Sequence, residues 1–176
     1  MAGLSLYEVT VPTYIRGHLM LKVILTKAEE HAKEKGLDAD AEYPGARIID
    51  DMLPLTRQVQ IASDMAKKAV VRITGEEIEA WADEEKTMAE LHARVRKTLD
   101  LLKSVDPAKI NGLEANVIKV PIGKGNLTDM STKDYVFNMN MPQFYFHIQT
   151  AYCILRMKGV PLGKANFLTE FLYPTE

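Results

Sequence analysis

Four stretches of the chain repeat apolar residues every three or four positions, the spacing that places them along one face of an α-helix. Polar and charged residues fill the positions between, so each predicted helix offers one face to a shared core. In the third stretch the inward positions are Met88, Leu91, Val95, Leu99 and Leu102. The four helices are predicted from about Pro12 to Lys35, from Asp51 to Gly75, from Thr87 to Ser104 and from Pro142 to Lys158.

Residues that favour helix ends lie at the borders of these stretches. Gly36 and Gly75 follow the first and second, and glycine often ends a helix because it adopts the left-handed conformation without steric cost. Pro54 falls in the first turn of the second helix, where a missing N–H costs little. Thr87 and Glu90 have the spacing of a capping box, which predicts the start of the third helix.

The pattern changes between the third and fourth helices. Residues 114–122 partly alternate between apolar and polar, residues 123–126 have the composition of a turn, and residues 127–130 form a second short run. This arrangement predicts a small β-hairpin that must pack on the helices. Ser131 and Asp134 then form a second capping sequence. A short helix is predicted up to about Asn140, because Pro142 kinks or restarts a helix.

We therefore predict an all-α fold, a four-helix bundle with a small β-hairpin between the third and fourth helices. A length of 176 residues fits a single domain that covers residues 1–176. The last segment, residues 160–176, carries enough apolar side chains to pack on the bundle as a tail. These side chains are Leu162, Phe167, Leu168, Phe171 and Leu172.

Composition and charge narrow the classes of partner. The net charge is −2 and basic residues alternate with acidic ones, so no basic surface is expected to hold a nucleic acid. No apolar run approaches the ~20 residues that a membrane-spanning helix needs. A single cysteine, Cys153, excludes an internal disulfide. Because the first residues also lack the features of a signal peptide, we expect a cytoplasmic protein.

Candidate chemistry centres on the segment from Pro142 to Arg156, which sets one imidazole and two amides among aromatic and aliphatic side chains. Gln143 and His147 are four residues apart, so they share a helix face. His147 has two interpretations: a general acid/base or metal ligand inside the bundle, or a histidine satisfied by one hydrogen bond. His18 lies one turn after Tyr14 on the inward face of the first helix and could meet His147, although a partly buried structural histidine has the same pattern.

The second helix adds polar residues near its start. Arg57 and Gln58 occupy the turn after Leu55, whose side chain must face the core. A planar guanidinium there could hold a substrate carboxylate, or it could pair with Asp51. An ordinary polar helix face would have the same sequence.

Familiar catalytic motifs are missing around these residues. One cysteine excludes a closed structural zinc site, and the glutamine of the pair Gln143 and His147 is a poor ligand for transition metals. Gly123 and Gly125 belong to the hairpin turn, because no phosphate-loop signature follows them. No GxSxG sequence is present, which argues against a hydrolase nucleophile.

Six blocks carry a family resemblance: Ser5–Tyr7, Val11–Gly17, Asp51–Gln60, Phe144–His147, Ala151–Arg156 and Gly159–Lys164. They resemble an uncharacterised family of fungal and bacterial proteins, sometimes labelled helix-turn-helix-domain-containing. That family is similar in fold to the DinB/YfiT-like four-helix bundles. Those resemble metalloenzymes, with a histidine on the second helix and a His-x-x-x-His pair on the fourth.

Carried over to this chain, the resemblance keeps one metal ligand. His147 has the right type, whereas Gln58 or Gln60 stands on the second helix and Gln143 or Ala151 at the paired position. The resemblance therefore implies the fold and the location of a pocket, with amides in place of most ligands. This shifts the expected role of His147 from metal binding toward proton transfer or substrate hydrogen bonding.

We expect a metal-free enzyme without a cofactor, acting on a small, mostly apolar metabolite. His147 would be the acid/base, with Arg57 or an amide steadying negative charge. Isomerisation, cyclisation or elimination fits better than hydrolysis, since no nucleophile is set up. The alternatives are a DinB-like enzyme that depends on a divalent metal, and a non-catalytic binding or assembly module such as a homodimer. The pocket is predicted between the first, second and fourth helices, lined by Tyr14, His18, Arg57, Gln58, Gln143, Tyr145 and His147.

Overall fold

The computed structural model describes residues 3–123 and 125–175 and confirms the helical bundle with its hairpin. In chain order the helices are α1 (Leu6–Lys35), α2 (Ala39–Glu42), α3 (Leu55–Thr74), α4 (Met88–Lys103), α5 (Thr132–Asp134), α6 (Met141–Met157) and α7 (Lys164–Leu172). A 3₁₀ turn covers Pro107–Lys109, and a π-helical segment, Tyr135–Asn140, joins α5 to α6. The strands are β1 (Val117–Pro121) and β2 (Leu127–Ser131).

The four long helices α1, α3, α4 and α6 form the bundle. Helices α1 and α3 each pack against both α4 and α6, so α1 and α3 lie at opposite corners. The inward positions predicted for α4 are all buried, which confirms that stripe. Among the described residues, no helix is both long enough and apolar enough to cross a membrane.

Helix α1 begins earlier than predicted. Ser5 and Glu8 form a capping box in which the hydroxyl of Ser5 accepts from the backbone N–H of Glu8, and the carboxylate of Glu8 accepts from the N–H of Ser5. Pro12 therefore lies inside the helix and does not start it. The prediction was wrong because it gave the proline more weight than the serine-to-glutamate spacing, which satisfies two free N–H groups at once.

The other helix ends follow the sequence more closely. Thr87 and Glu90 form the predicted capping box of α4. Gly36 and Gly75 end α1 and α3 in the left-handed conformation, with φ of 67° and 73°. Helix α3 starts at Leu55, so the predicted start near Asp51 was one turn too early.

The hairpin pairs β1 with β2 in antiparallel register, from Val117 opposite Ser131 to Pro121 opposite Leu127. Its inward face buries Val120, which attaches the hairpin to the bundle. Lys124, in the predicted turn, lies outside the described residues.

Pro142 does not interrupt the last long helix. Helix α5, the π-helical segment and α6 run on without a break, so the predicted restart at Pro142 was wrong. The π segment brings Tyr135 and Asn140, five residues apart, into a hydrogen bond of 2.8 Å between the Asn140 amide and the Tyr135 hydroxyl. The predicted tail also has regular structure, since α7 packs against α1.

Helices α1 and α6 approach closely at Gly17. A Cβ atom built on this residue would lie 2.5 Å from the Phe144 ring, which is shorter than any normal contact. The ring of Tyr14 meets the same Phe144 edge to face, at 5.0 Å between centroids. Glycine at position 17 therefore makes room for the aromatic centre of the core.

Candidate functional site

The structure places His147 of α6 beside Gln58 of α3, residues that are 89 positions apart in the chain. The Nδ1 atom of His147 lies 2.7 Å from the Oε1 atom of Gln58, and the Gln58 side chain is almost fully buried. The Nε2 of Gln58 donates to the backbone carbonyl of Leu53 at 2.9 Å. Because that carbonyl can only accept, it holds the amide so that its oxygen faces His147.

This orientation sets the tautomer of the histidine. An amide oxygen only accepts hydrogen bonds, so Nδ1 of His147 carries the hydrogen and Nε2 keeps its lone pair. Burial lowers the pKa of His147, and the positive charge of Arg57 lowers it further. His147 is therefore neutral near pH 7, with one nitrogen ready to accept a proton.

The surroundings of His147 are partly open. The histidine is half-buried, and the ring of Phe146 stands edge-on to it at 5.2 Å between centroids. Phe146 itself is 59% exposed, and Leu53, which anchors Gln58, is 46% exposed. The pair of His147 and Gln58 thus has neighbours that expose apolar surface.

Arg57 points toward the loop that connects α3 to α4. Its Nη1 donates to Gln60 and to Asp83, both at 2.7 Å. The predicted alternative partner, Asp51, is thus wrong, and the acid that Arg57 binds comes from the α3–α4 loop. Arg57 and Gln60 line an open cavity of about 370 Å³.

Tyr14 and His18 lie in the core and contact a different part of α6. The hydroxyl of Tyr14 donates to Asn140 at 2.6 Å, and burial raises its pKa well above the usual value. Nδ1 of His18 lies 2.7 Å from the backbone carbonyl of Tyr14, and its ring stacks on Phe144. Both side chains are fully buried, so neither is placed to line an open pocket with His147.

Gln143 and Tyr145 also lie apart from the pair of His147 and Gln58. The amide of Gln143 donates to the backbone carbonyl of Met139, within its own helix. The ring of Tyr145 lies between Phe144 and Phe171 of α7. The structure thus brings together His147 and Gln58, with Arg57 close enough to affect the histidine, and places the other four predicted residues elsewhere. The catalytic and binding roles given to all seven stay predictions.

Sequence reasoning missed a buried ionic cluster around Arg94. The side chain of Arg94 is 2% exposed and lies within 3.2 Å of carboxylate oxygens of Asp64, Asp83 and Glu85. Its position between Leu91 and Val95 on the inward face of α4 was the available signal. A charged residue on an apolar face has to find partners, and here they come from α3 and from the following loop.

A second missed group surrounds Asn140, which is fully buried. Asn140 accepts from Tyr14, and its amide donates to the Tyr135 hydroxyl and to the backbone carbonyl of Met65. Arg72 donates to the same Tyr135 hydroxyl at 2.8 Å. Every polar atom of the Asn140 side chain has a partner, so this network ties α1, α3 and the π-helical segment together.

The residues near His147 do not fit a DinB-type metal centre. Gln58 offers an amide oxygen that already binds Nδ1–H, and Ala151, one turn after His147, offers only a buried methyl group. Within the described part of the chain, no group of three or more His, Cys, Asp or Glu side chains is placed to hold a metal ion. We therefore assign no chemical step to a metal.

Comparison with known proteins places this geometry in context. A family profile described as a domain of unknown function (DUF1993) matches residues 6–168. The chain is also similar to the crystal structure of a DinB family member from Shewanella denitrificans, with 35% sequence identity and a TM-score of 0.84. That match covers 93% of this chain and 91% of the other. No curated protein matches the chain.

Proposed function

The chain belongs to the family described as a domain of unknown function (DUF1993), and from that premise we propose that it is a small-molecule enzyme in which His147 acts as a general base without a metal. One observation supports this most. The carbonyl of Leu53 orients Gln58, and Gln58 in turn holds the hydrogen of His147 on Nδ1. The second nitrogen is left unprotonated on a half-buried side chain at neutral pH.

The proton balance of such a reaction is simple. Nε2 of His147 removes a proton from a substrate carbon, and the imidazolium that forms keeps its Nδ1–H bond to Gln58. Returning the proton to a different carbon completes an isomerisation. In an elimination the leaving group departs with the electron pair of its bond and takes the proton from the imidazolium, which regenerates the base. Because the pKa of His147 is lowered, it is a weak base, so it suits an acidic C–H such as one beside a carbonyl group.

The side chains next to the histidine favour a mostly apolar substrate. Phe146 lies against His147, the carbonyl of Leu53 accepts from Gln58, and both side chains present exposed apolar surface. A flat aromatic or aliphatic body covering them would remove apolar area from water, at roughly 25 cal/mol per Å². Arg57 would favour a substrate that gains negative charge, such as an enolate.

Deuterium incorporation provides the test. Small aryl ketones such as 2-indanone are incubated with the protein in D₂O, and exchange beside the carbonyl is followed by proton NMR. We expect the wild type to exchange the ketone faster than buffer without protein does. The control H92Q should do the same, because His92 pairs with Glu29 away from the site. H147Q should lose the acceleration. Equal exchange with wild type and H147Q, or no acceleration by the wild type, would contradict the proposal.

A non-catalytic assembly role is the second candidate, favoured by one observation. Helix α6 exposes Phe146 and part of Tyr145 on its outer face, and Tyr173 just after α7 is 74% exposed. Aromatic side chains of this kind are enriched at protein interfaces, and a second copy of the chain is the simplest partner. Sedimentation equilibrium should then show a dimer for the wild type and a monomer for F146E. A monomeric wild type would exclude this role.

A further inference from the structure

The segment between α3 and α4, residues 76–86, is an extended strap with neither helix nor strand. It runs back along α3. The carbonyl of Glu79 accepts from Lys67 late in the helix, whereas Asp83 meets Arg57 in its first turn. This course follows from the topology, since the strap has to return to the end of the bundle where α4 begins.

Side chains, and few backbone amides, hold the strap in place. At its two ends, the N–H of Glu76 donates to Thr74 and the N–H of Lys86 donates to Glu90. Within the described chain, no backbone N–H of residues 77–85 donates a hydrogen bond to a protein group. A segment of this kind opens locally at low cost, because opening breaks few backbone bonds.

Two carboxylates attach the strap to the bundle, and every one of their oxygens has a cationic or amide donor. Asp83 lies between Arg57 at 2.7 Å and Arg94 at 3.2 Å. Glu85 accepts from Arg94 at 3.0 Å and from Gln60 at 2.7 Å. Arg94 also donates to the backbone carbonyl of residue 82. The three donors thus form a receptor for two carboxylate groups, which the strap fills.

The receptor is accessible from both sides of the strap. One open cavity of about 370 Å³ reaches Arg57, Gln60 and Asp83, and another of about 360 Å³ reaches Arg94 and Trp81. Glu85 lines both cavities. The side chains of Asp83 and Arg57 are 34% and 39% exposed, so water and small solutes reach their contact directly.

The receptor stays cationic after the strap leaves. Arg94 keeps its contact with Asp64, but Lys68 also pairs with that acid. Two further cations, Lys67 and Lys97, lie 4.7 Å from the Trp81 ring. A free ligand with two negative charges would meet a surface of opposite charge.

We propose that Arg57, Gln60 and Arg94 form a binding site for small dicarboxylates, which the chain's own strap occupies in the absence of ligand. Guanidinium groups bind carboxylates through charge-assisted hydrogen bonds, and here two carboxylates share one guanidinium. A free dicarboxylate competes with Asp83 and Glu85 and releases the strap. This site goes beyond the proposed chemistry of His147 and does not depend on it.

The fluorescence of Trp81, the one tryptophan of the chain and a residue of the strap, tests the competition in the intact protein. A tethered carboxylate has an effective concentration on the order of millimolar, so roughly 50 mM succinate is the probe. Acetate with sodium chloride, adjusted to the same ionic strength, is the reference. We expect succinate to shift the Trp81 emission to longer wavelength relative to acetate, because the ring leaves Lys67, Arg94 and Lys97 for water, while the circular dichroism of the helices stays unchanged.

Two strap variants separate binding from simple screening of charge. In D83N/E85Q the receptor is vacated, so Trp81 should show the longer-wavelength emission without additive, and succinate should raise the thermal midpoint more than acetate does. E84Q removes the same kind of charge from a neighbouring strap residue outside the receptor, and it should behave like the wild type. The single variant E85Q serves if the double variant does not fold.

Four results would contradict the proposal. If succinate and acetate shift the Trp81 emission equally, the ionic contacts only fasten a loop. The same conclusion follows if succinate leaves the Trp81 emission unchanged, or if it raises the midpoint of D83N/E85Q no more than acetate does. An effect of E84Q as large as that of E85Q would show that net charge, and not the receptor, controls the strap.

Discussion

His18 makes the stability of the bundle depend on pH in a predictable way. Its ring is fully buried, Nδ1 contacts the carbonyl of Tyr14, and Nε2 has no hydrogen-bond partner in the described structure. Burial is the main reason that the pKa of His18 falls from 6.5 to about 4, and the charge of Arg94 adds to it. The folded protein therefore keeps His18 neutral where the unfolded chain would protonate it.

The sign and the size of the effect follow from this difference. Between pH 6.5 and 4 the unfolded state binds more protons than the folded state, so stability is complete above 6.5 and is lost as the pH falls toward 4. Each pH unit of pKa difference corresponds to about 1.4 kcal/mol, which gives a loss of about 3 kcal/mol. This is a large share of the roughly 5–15 kcal/mol that is typical of a domain.

Urea unfolding at several pH values between 7 and 4.5 measures this effect in the wild type and in H18L. Leucine is apolar and fits a buried helix position, and the carbonyl of Tyr14 keeps its backbone helix bond. The free energy of unfolding should fall by about 2–3 kcal/mol in the wild type and by much less in H18L. H147Q, measured in parallel, separates the contribution of the second histidine whose pKa is lowered.

One result would refute this reasoning. If H18L loses as much stability as the wild type over the same range, His18 is either protonated in the folded protein or solvated through a water at Nε2. The pKa of Asp83 is lowered from 3.8, so the contribution of this acid is lost only at lower pH.

Three further predictions concern packing, tautomer and the buried amide. G17A should destabilise the fold by about 1–3 kcal/mol in urea unfolding despite its better helix propensity, because the new methyl group meets Phe144, whereas G45A, with open space around it, should be nearly neutral. Q58E should raise the pKa of His147 in an NMR titration, since a carboxylate stabilises the imidazolium, and an unchanged or lower value would argue against their contact. N140L should cost about 2 kcal/mol or more in the same unfolding assay, because it leaves the Tyr14 hydroxyl buried without an acceptor, and a neutral effect would show that water replaces the amide.

Local signals in the sequence were sufficient for most of the architecture. The capping box at Thr87, the glycines after α1 and α3, and the apolar stripe of α4 each depend on residues within a few positions of one another. The start of α1 failed for a related reason. The capping-box spacing of Ser5 and Glu8 indicates a helix that starts at Leu6, whereas Pro12 indicates a later start. The hydrogen bonds of the capping box outweigh the cost of a proline in the second turn.

The candidate site was less predictable, because its contacts join distant parts of the chain. Gln58 and His147 were both selected from the sequence, but their partnership depends on the packing of α3 against α6. Tyr14 and His18 were assigned to the same pocket from helix periodicity alone. Periodicity tells which residues face inward, and it cannot tell which inward residues meet or whether a cavity remains between them.

Arg94 is a second case in which the sequence does not identify the long-range partners of a buried side chain. An arginine on the inward stripe of a helix indicates a buried charge, but the sequence does not say which acids neutralise it. Its partners come from α3 and from a strap that has no periodic pattern, so nothing in the sequence places the acids of the strap beside Arg94. The ionic contacts explain why this loop lies along the bundle despite its acidic composition. Its two carboxylates join Asp64 in neutralising the buried charge of Arg94, and the charges of Arg94 and the strap stabilise each other.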